Sequence, residues 1–192
     1  MRPPRLLPFF EASPNNTFIM TRTVLTFGVI AGVINSVLML SATPLYMNEG
    51  KMDFQMGEIM GYLSMIIALS MIFFGIRSYR DRNLAGKISF GRAFQVGLLI
   101  TLVASAIYLA GWMIYSNLGN GQDFMDQYFE YSVEQLRESG QPREIVQQEI
   151  EEMREFKEWY RNPLVQIGVT FMEIFPVGLV ISLISAGLLR RS

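Results

Sequence analysis

One stretch limits what this chain can fold into more than any other. Residues 168–190, GVTFMEIFPVGLVISLISAGLLR, form a long apolar run that carries a single acidic side chain, Glu173, three residues before Pro176. At 1.5 Å rise per residue a helix of this length crosses the ~30 Å hydrocarbon layer of a bilayer. Pro176 lacks a backbone N–H, so it removes one hydrogen bond and is expected to disturb the helix just past the carboxylate. The run reads as the last of four membrane spans.

Composition agrees with this reading. Apolar residues make up 51% of the chain and charged ones 17%, and the charges are clustered, leaving long stretches with almost none. The formal net charge of −1 hides that clustering, so it points to no partner. Cys and His are both absent. That excludes disulfides, thiolate metal sites and the usual nucleophile–base pairs, and leaves proton chemistry to carboxylates, Lys or Tyr. Thirteen Met and fourteen Phe suit adaptable, lipid-facing packing.

Residues 1–21 read as a flexible lead rather than a signal peptide, because the apolar run from Leu6 to Phe10 is short and broken by Pro8. Met20 is an alternative start. The membrane domain, 22–192, is then expected to hold spans at about 23–44, 56–76, 93–115 and 164–189. Gly28 and Gly32 in span one, and Gly57 and Gly61 in span two, are small pairs four apart that allow close helix packing. Asn35 lies near mid-depth in span one, Ser105 in span three, and Glu58 near the outer end of span two. Ser64 and Ser70 can satisfy themselves on their own helix carbonyls.

The sizeable hydrophilic segment, residues 116–162, carries two apolar stripes at helical spacing. One is Met125, Phe129, Val133 and Leu136; the other is Val146, Ile150, Met153, Phe156 and Tyr160. Joined by a turn at Gly140 and Pro142, they predict an amphipathic αα-hairpin over 122–161. Its stripes are expected to pack on each other and on the end of the bundle. The acidic run Glu149, Glu151, Glu152 and Glu155 reads as a solvated face rather than a metal site.

Charge sets the expected orientation. The N-terminus, the 77–92 loop and the C-terminus carry Arg2, Arg5, Arg22, Arg77, Arg80, Arg82, Lys87, Arg92, Arg190 and Arg191 against Glu11 and Asp81. The opposite side carries six basic residues against fourteen acidic ones. The positive-inside rule then puts both termini in the cytoplasm and the hairpin outside. Arg77, Arg80 and Arg92 mark the cytoplasmic interface, with Arg92 expected to snorkel to lipid phosphate. The bilayer is the expected partner of this basic loop, and nucleic acid is not.

Glu173 lies ten residues beyond Pro163, about 15 Å at helical rise and so near the midplane. A charge there costs at least ~3 kcal/mol, so the carboxyl is expected to face the bundle interior, with Asn35 and Ser105 as partners at similar depth. Three readings stay open. One is a protonated Glu173 bonded to Asn35, or to a carbonyl freed by Pro176, that pins the bundle. Another is a protonation or ion site of a small transporter or channel, as an oligomer. A third is a subunit that docks a second copy or another membrane protein.

Several ordered motifs resemble one known family. They are the segment Glu58–Ser70 with the following IFFGIRSYRD, Gly86 with ISFGRAF at 88–94, YRNP at 160–163, and TFMEIFPVGLVISLISA at 170–186. Together they resemble the bacterial group catalogued as domain of unknown function 4199, over about 20–192. The resemblance implies a four-helix integral protein of a bacterial inner membrane and implies no activity. No catalytic set, cofactor site or metal site is expected. The expected fold is an all-α integral membrane four-helix bundle with an extracytoplasmic amphipathic αα-hairpin between spans three and four.

Overall fold

The computed structural model describes residues 14–42, 47–48, 51–52, 54–118 and 121–191, and the architecture is all-α. In order, the helices are α1 (Pro14–Ala42), α2 (Phe54–Leu69), α3 (Met71–Asn83), α4 (Phe90–Leu118), α5 (Gly121–Glu138), α6 (Arg143–Tyr160) and α7 (Pro163–Leu189). Between α1 and α2, β1 (Met47–Asn48) pairs antiparallel with β2 (Lys51–Met52), a two-residue ladder in the connection. Residues 14–21, expected in the flexible lead, belong to α1. Residues 1–13, which hold the rest of that lead, lie outside the described residues.

Four segments are long and apolar enough to cross a membrane: α1, α2 with α3, α4, and α7. Their outward faces carry Val29, Val33 and Val37 on α1, Ile59, Leu63 and Ile66 on α2, and Met172, Val180 and Ile184 on α7, all exposed. A surface of that kind is matched by lipid rather than water. The protein is therefore a multi-pass membrane protein.

The second span is one path in two pieces. At Ser70 the hydroxyl donates to the Ile67 carbonyl (2.6 Å) and the Phe73 N–H bonds to Ser70 (3.0 Å), a tighter i→i+3 pattern that separates α2 from α3.

α4 is the central helix. Its buried residues Ala93, Val96, Ile100, Ala104 and Tyr108 face Ala31 of α1, Ile72 and Ile76 of α3, and Ile174 and Ala186 of α7. Gly28 lies against Val103, Gly32 against Ile107 and Gly111 against Ser36. These pairs keep one constant offset, so α1 and α4 run parallel. A Cβ on Gly28 would fall 2.6 Å from the Val103 Cβ, so only glycine admits this approach. On the other flank, Gly97 meets Ser182 and Gly178 meets Thr101, an antiparallel register for α4 and α7. Thr101 and Ser182 share a hydrogen bond there (3.1 Å), and Thr101 also donates to the Gly97 carbonyl.

The hairpin sits at the end of the bundle where α4 finishes and α7 begins. Gly140 takes φ +71°, the left-handed conformation that turns α5 into α6. Phe129 is buried against Phe156, and the Lys157 ammonium lies over the Phe129 ring while pairing with Asp126 (2.8 Å). The rings of Tyr128 and Tyr131 pack on Phe54 at the start of α2. Trp112 of α4 donates to the Tyr160 hydroxyl (3.0 Å), tying α6 to the bundle.

At the opposite end, the loop between α3 and α4 is fastened to the C-terminus. Ile88 and Arg191 exchange two backbone hydrogen bonds (3.0 and 2.9 Å).

Candidate functional site: a polar cleft beside Glu173

α7 buries one stripe: Thr170, Ile174, Gly178, Ser182, Ser185, Ala186 and Leu189. Glu173 lies off that stripe. It is one residue, about 100° of helical turn, from Ile174, and it is exposed where Ile174 is fully buried. The expectation that Glu173 faces the interior is therefore corrected. The α4–α7 register sets Ser105 level with Ile174, and it is Ile174 that fills the position opposite Ser105. Desolvating a carboxylate inside an apolar core is costlier than leaving it at the rim, so the aliphatic neighbour takes the core position.

The expected partners are corrected as well. Glu173 has no hydrogen bond to Asn35 or Ser105. Through the α1–α4 offset, Asn35 lines up with Ala110, five residues or ~7 Å nearer the hairpin than Ser105. Asn35 points instead at α2, where its Oδ1 lies 3.5 Å from the Ser64 hydroxyl. The single Ser64 proton is used at 2.7 Å on the Gly61 carbonyl, so that contact is weak. Asn35 Nδ2 and Ser105 Oγ are both buried without a hydrogen-bond partner. α7 runs through Pro176 as one helix, and Pro176 faces outward.

The residues that do surround Glu173 come from four elements. Glu58 of α2 and Tyr108 of α4 are within electrostatic reach of it, as is Tyr160 at the end of α6. Glu173 itself is exposed, so this group of residues is open on one side. Tyr108 is only 6% exposed. Tyr160 is buried too, and burial pushes its phenol up from the usual range; the hydrogen bonds with Trp112 and Thr170 oppose that push. Gln166, Thr170 and Glu173, spaced by four and three, share one side of α7. Gln166 Oε1 is a further buried acceptor without a partner.

α2 opens the cleft. Glu58, Gly61, Met65 and Ala68 lie on one stripe, at steps of three and four. Met65 and Ala68 are buried in the bundle, whereas Glu58 is exposed and a Cβ on Gly61 would meet nothing within 4 Å. The side of α2 that is buried at Met65 and Ala68 is thus more open towards Glu58. Gly57 and Gly61 were expected to pack a helix; both are half-buried, and at Gly61 an added Cβ would meet nothing within 4 Å. Phe54, at the hairpin end of α2, packs on Tyr128 and Tyr131.

The basic interface also differs from its expectation. Arg77 is exposed and pairs with Asp81 (3.6 Å). Arg80 is buried instead: its Nε pairs with Asp81 (2.7 Å) and its Nη1 donates to the Leu189 carbonyl (3.2 Å). It therefore caps α7 through a carbonyl that has no partner within its own helix. Arg92 turns inward, donating to the Tyr79 hydroxyl (3.1 Å), with its Nε buried and unpartnered.

Sequence reasoning missed Tyr108 and Tyr160 as parts of this site. The available signal was the i,i+4 spacing of Tyr108 and Trp112, which puts two aromatic side chains with polar tips on one side of α4. Among the described residues no group of three carboxylates could hold a metal ion.

No curated protein and no solved structure matches the chain. A family model does match, over residues 26–191, and that range includes all of the cleft residues. The chain belongs to the family described as "Protein of unknown function (DUF4199)".

Proposed function

We propose that this is a non-enzymatic protein of a bacterial inner membrane that holds a proton or another cation at Glu173. One observation carries the reading: a carboxyl at hydrocarbon depth is open on one side, near a second carboxyl, Glu58, and without a hydrogen bond or ion pair among the described residues. An unpaired carboxyl in lipid is costly to keep and is a functional feature by default. The lack of His and Cys supports a role outside the common catalytic chemistries. The charge asymmetry supports both termini in the cytoplasm and the hairpin outside.

The test is labelling of Glu173 by a hydrophobic carbodiimide in native-like membranes across pH, read by mass spectrometry. The reagent needs a protonated and reachable carboxyl. Labelling that falls as pH rises is the expected result, shaped by Glu58 from α2, Tyr108 from α4 and Tyr160 from α6. No labelling at any pH would sink the reading.

A structural or partner-binding role is the second reading, and Gly61 favours it. A half-buried glycine with open space where a Cβ would stand is the kind of position another helix packs, from a second copy or a different membrane protein. Cysteine cross-linking from Gly61→Cys in native membranes tests it, and an uncross-linked monomer would count against it.

A further inference from the structure

We infer that the α5–α6 hairpins of neighbouring copies of this chain dock side to side, the basic groove of one hairpin receiving the acidic side of the next. The inference rests neither on the reading of Glu173 nor on Gly61.

The hairpin leaves its own apolar stripes half open. Phe129 and Tyr160 are buried, whereas Val133, Leu136, Val146, Ile150 and Met153 are only half-buried. Two antiparallel helices meet along one seam, and each side of that seam stays open until something further covers it. A groove lies on either side here. One, of about 580 Å³, has Val146 and Ile150 on its floor. The other, of about 390 Å³, is lined by Leu136, Met153 and Phe156 with the Tyr128 ring.

The two grooves carry opposite charge. Arg137, Arg143 and Arg154 line the larger one against a single Glu151, and Glu149 and Glu152 line the smaller one with no basic residue. On α6, Arg143 and Arg154 stand roughly 120–180° of helical turn from Glu149 and Glu152, so the two charges lie on different faces. This separation runs against the composition of the segment. Residues 122–161 hold five basic residues against eleven acidic ones, and three of the five stand in one groove. The other two are engaged locally, Lys157 with Asp126 (2.8 Å) and Arg161 with Glu158 (3.0 Å). Arg154 pairs with Glu151 (3.4 Å) at the surface, a contact worth little in water. No ion pair among the described residues holds Arg137, Arg143, Glu149 or Glu152.

An anionic ligand would match the larger groove and leave the smaller one open. A second copy matches both, because each hairpin brings the acidic face that the other's basic groove lacks. Apolar floors with charged rims of opposite sign are the pattern of a specific protein contact. Copies in one membrane share one orientation, so their hairpins stand on the same side of it. Unlike faces in contact make a heterologous interface, which continues into a ring or a row of copies.

The test uses the full-length protein in nanodiscs cut directly from native membranes, with copies per disc counted by native mass spectrometry. One variant reverses the basic groove, Arg137→Glu with Arg143→Glu, and a second reverses the acidic one, Glu149→Arg with Glu152→Arg. All four side chains are exposed or half-buried, so both variants should fold. Each is compared only if it melts like the wild type, and Arg143→Glu or Glu149→Arg alone serves where a double variant does not. The wild type is expected to show more than one copy per disc, and each reversed chain alone a single copy. Co-expressed under different tags, the two reversed chains should assemble again, because one then has two acidic grooves and the other two basic ones. A single copy in the wild type would overturn the inference. Assembly that survives both reversals would overturn it in favour of contact between the spans. Loss of assembly on reversing the basic groove but not the acidic one, or no rescue on co-expression, would overturn it in favour of an anionic partner of another kind.

Discussion

Glu173 and Ile174 are adjacent in sequence and lie on opposite sides of the boundary between cleft and core. Ile174 is fully buried beside α4, and Glu173 is exposed within electrostatic reach of Glu58 on α2. One helical step decides this, because the glycine and hydroxyl contacts of Gly178 and Ser182 with α4 fix the rotation of α7. Any change that turned α7 by a residue would put a carboxyl into the core.

The glycines should separate into two classes. Gly178→Ala would drive a methyl into Thr101 and is expected to destabilise the protein by about 1–3 kcal/mol, as overpacking does. Gly61→Ala meets nothing within 4 Å and should be neutral or slightly stabilising in the isolated protein. Thermal unfolding in detergent, with both variants side by side, gives the comparison.

Thr101 and Ser182 form the polar contact between α4 and α7. Ser182→Ala should lower stability by about 0.5–1.5 kcal/mol, in the range of interhelical hydrogen bonds. Thr101 keeps its bond to the Gly97 carbonyl, which limits the loss. A double-mutant cycle with Thr101→Val should return a coupling energy well below the sum of the single effects.

Arg80→Gln should loosen the C-terminal turn of α7. It removes the charge paired with Asp81 and weakens the donor to the Leu189 carbonyl. Hydrogen exchange over residues 186–191 should rise, with exchange at the cleft unchanged. An equal rise across all of α7 would show that the cap does not act locally.

Tyr160 supplies a pH test outside the spans. Burial holds its phenol above the unfolded value of about 10. Above that pH the unfolded chain loses the proton first, so it binds fewer protons than the folded state and stability falls as pH rises. Below it both states are protonated, and Tyr160 adds no pH dependence. Relative to Tyr160→Phe, the wild type should lose stability only from about pH 10 upward. A difference already present near neutral pH would contradict this, and absorbance titration of the two proteins checks the phenol directly.

The four spans, the amphipathic hairpin and the family were legible in the chain because each depends on local pattern. Apolar length sets a span, the stripes of Phe129 and Phe156 set the hairpin, and Gly140 sets its turn. Gly28 and Gly32 could be read as a packing pair because span one offers few other small faces.

The direction of Glu173 could not be read, because it depends on how α7 is rotated against α4. The standing of Gly61 could not be read either, since it depends on how α2 is rotated against its neighbours. Arg80 and Arg92 looked like headgroup ligands until Leu189 and Tyr79, distant in sequence, came within reach of them. The sequence by itself determined which segments enter the membrane, because transfer into hydrocarbon is governed by composition and length. Only the tertiary structure decided which polar side chains meet, because helix rotation and register come from interdigitated contacts between segments that the linear pattern leaves independent.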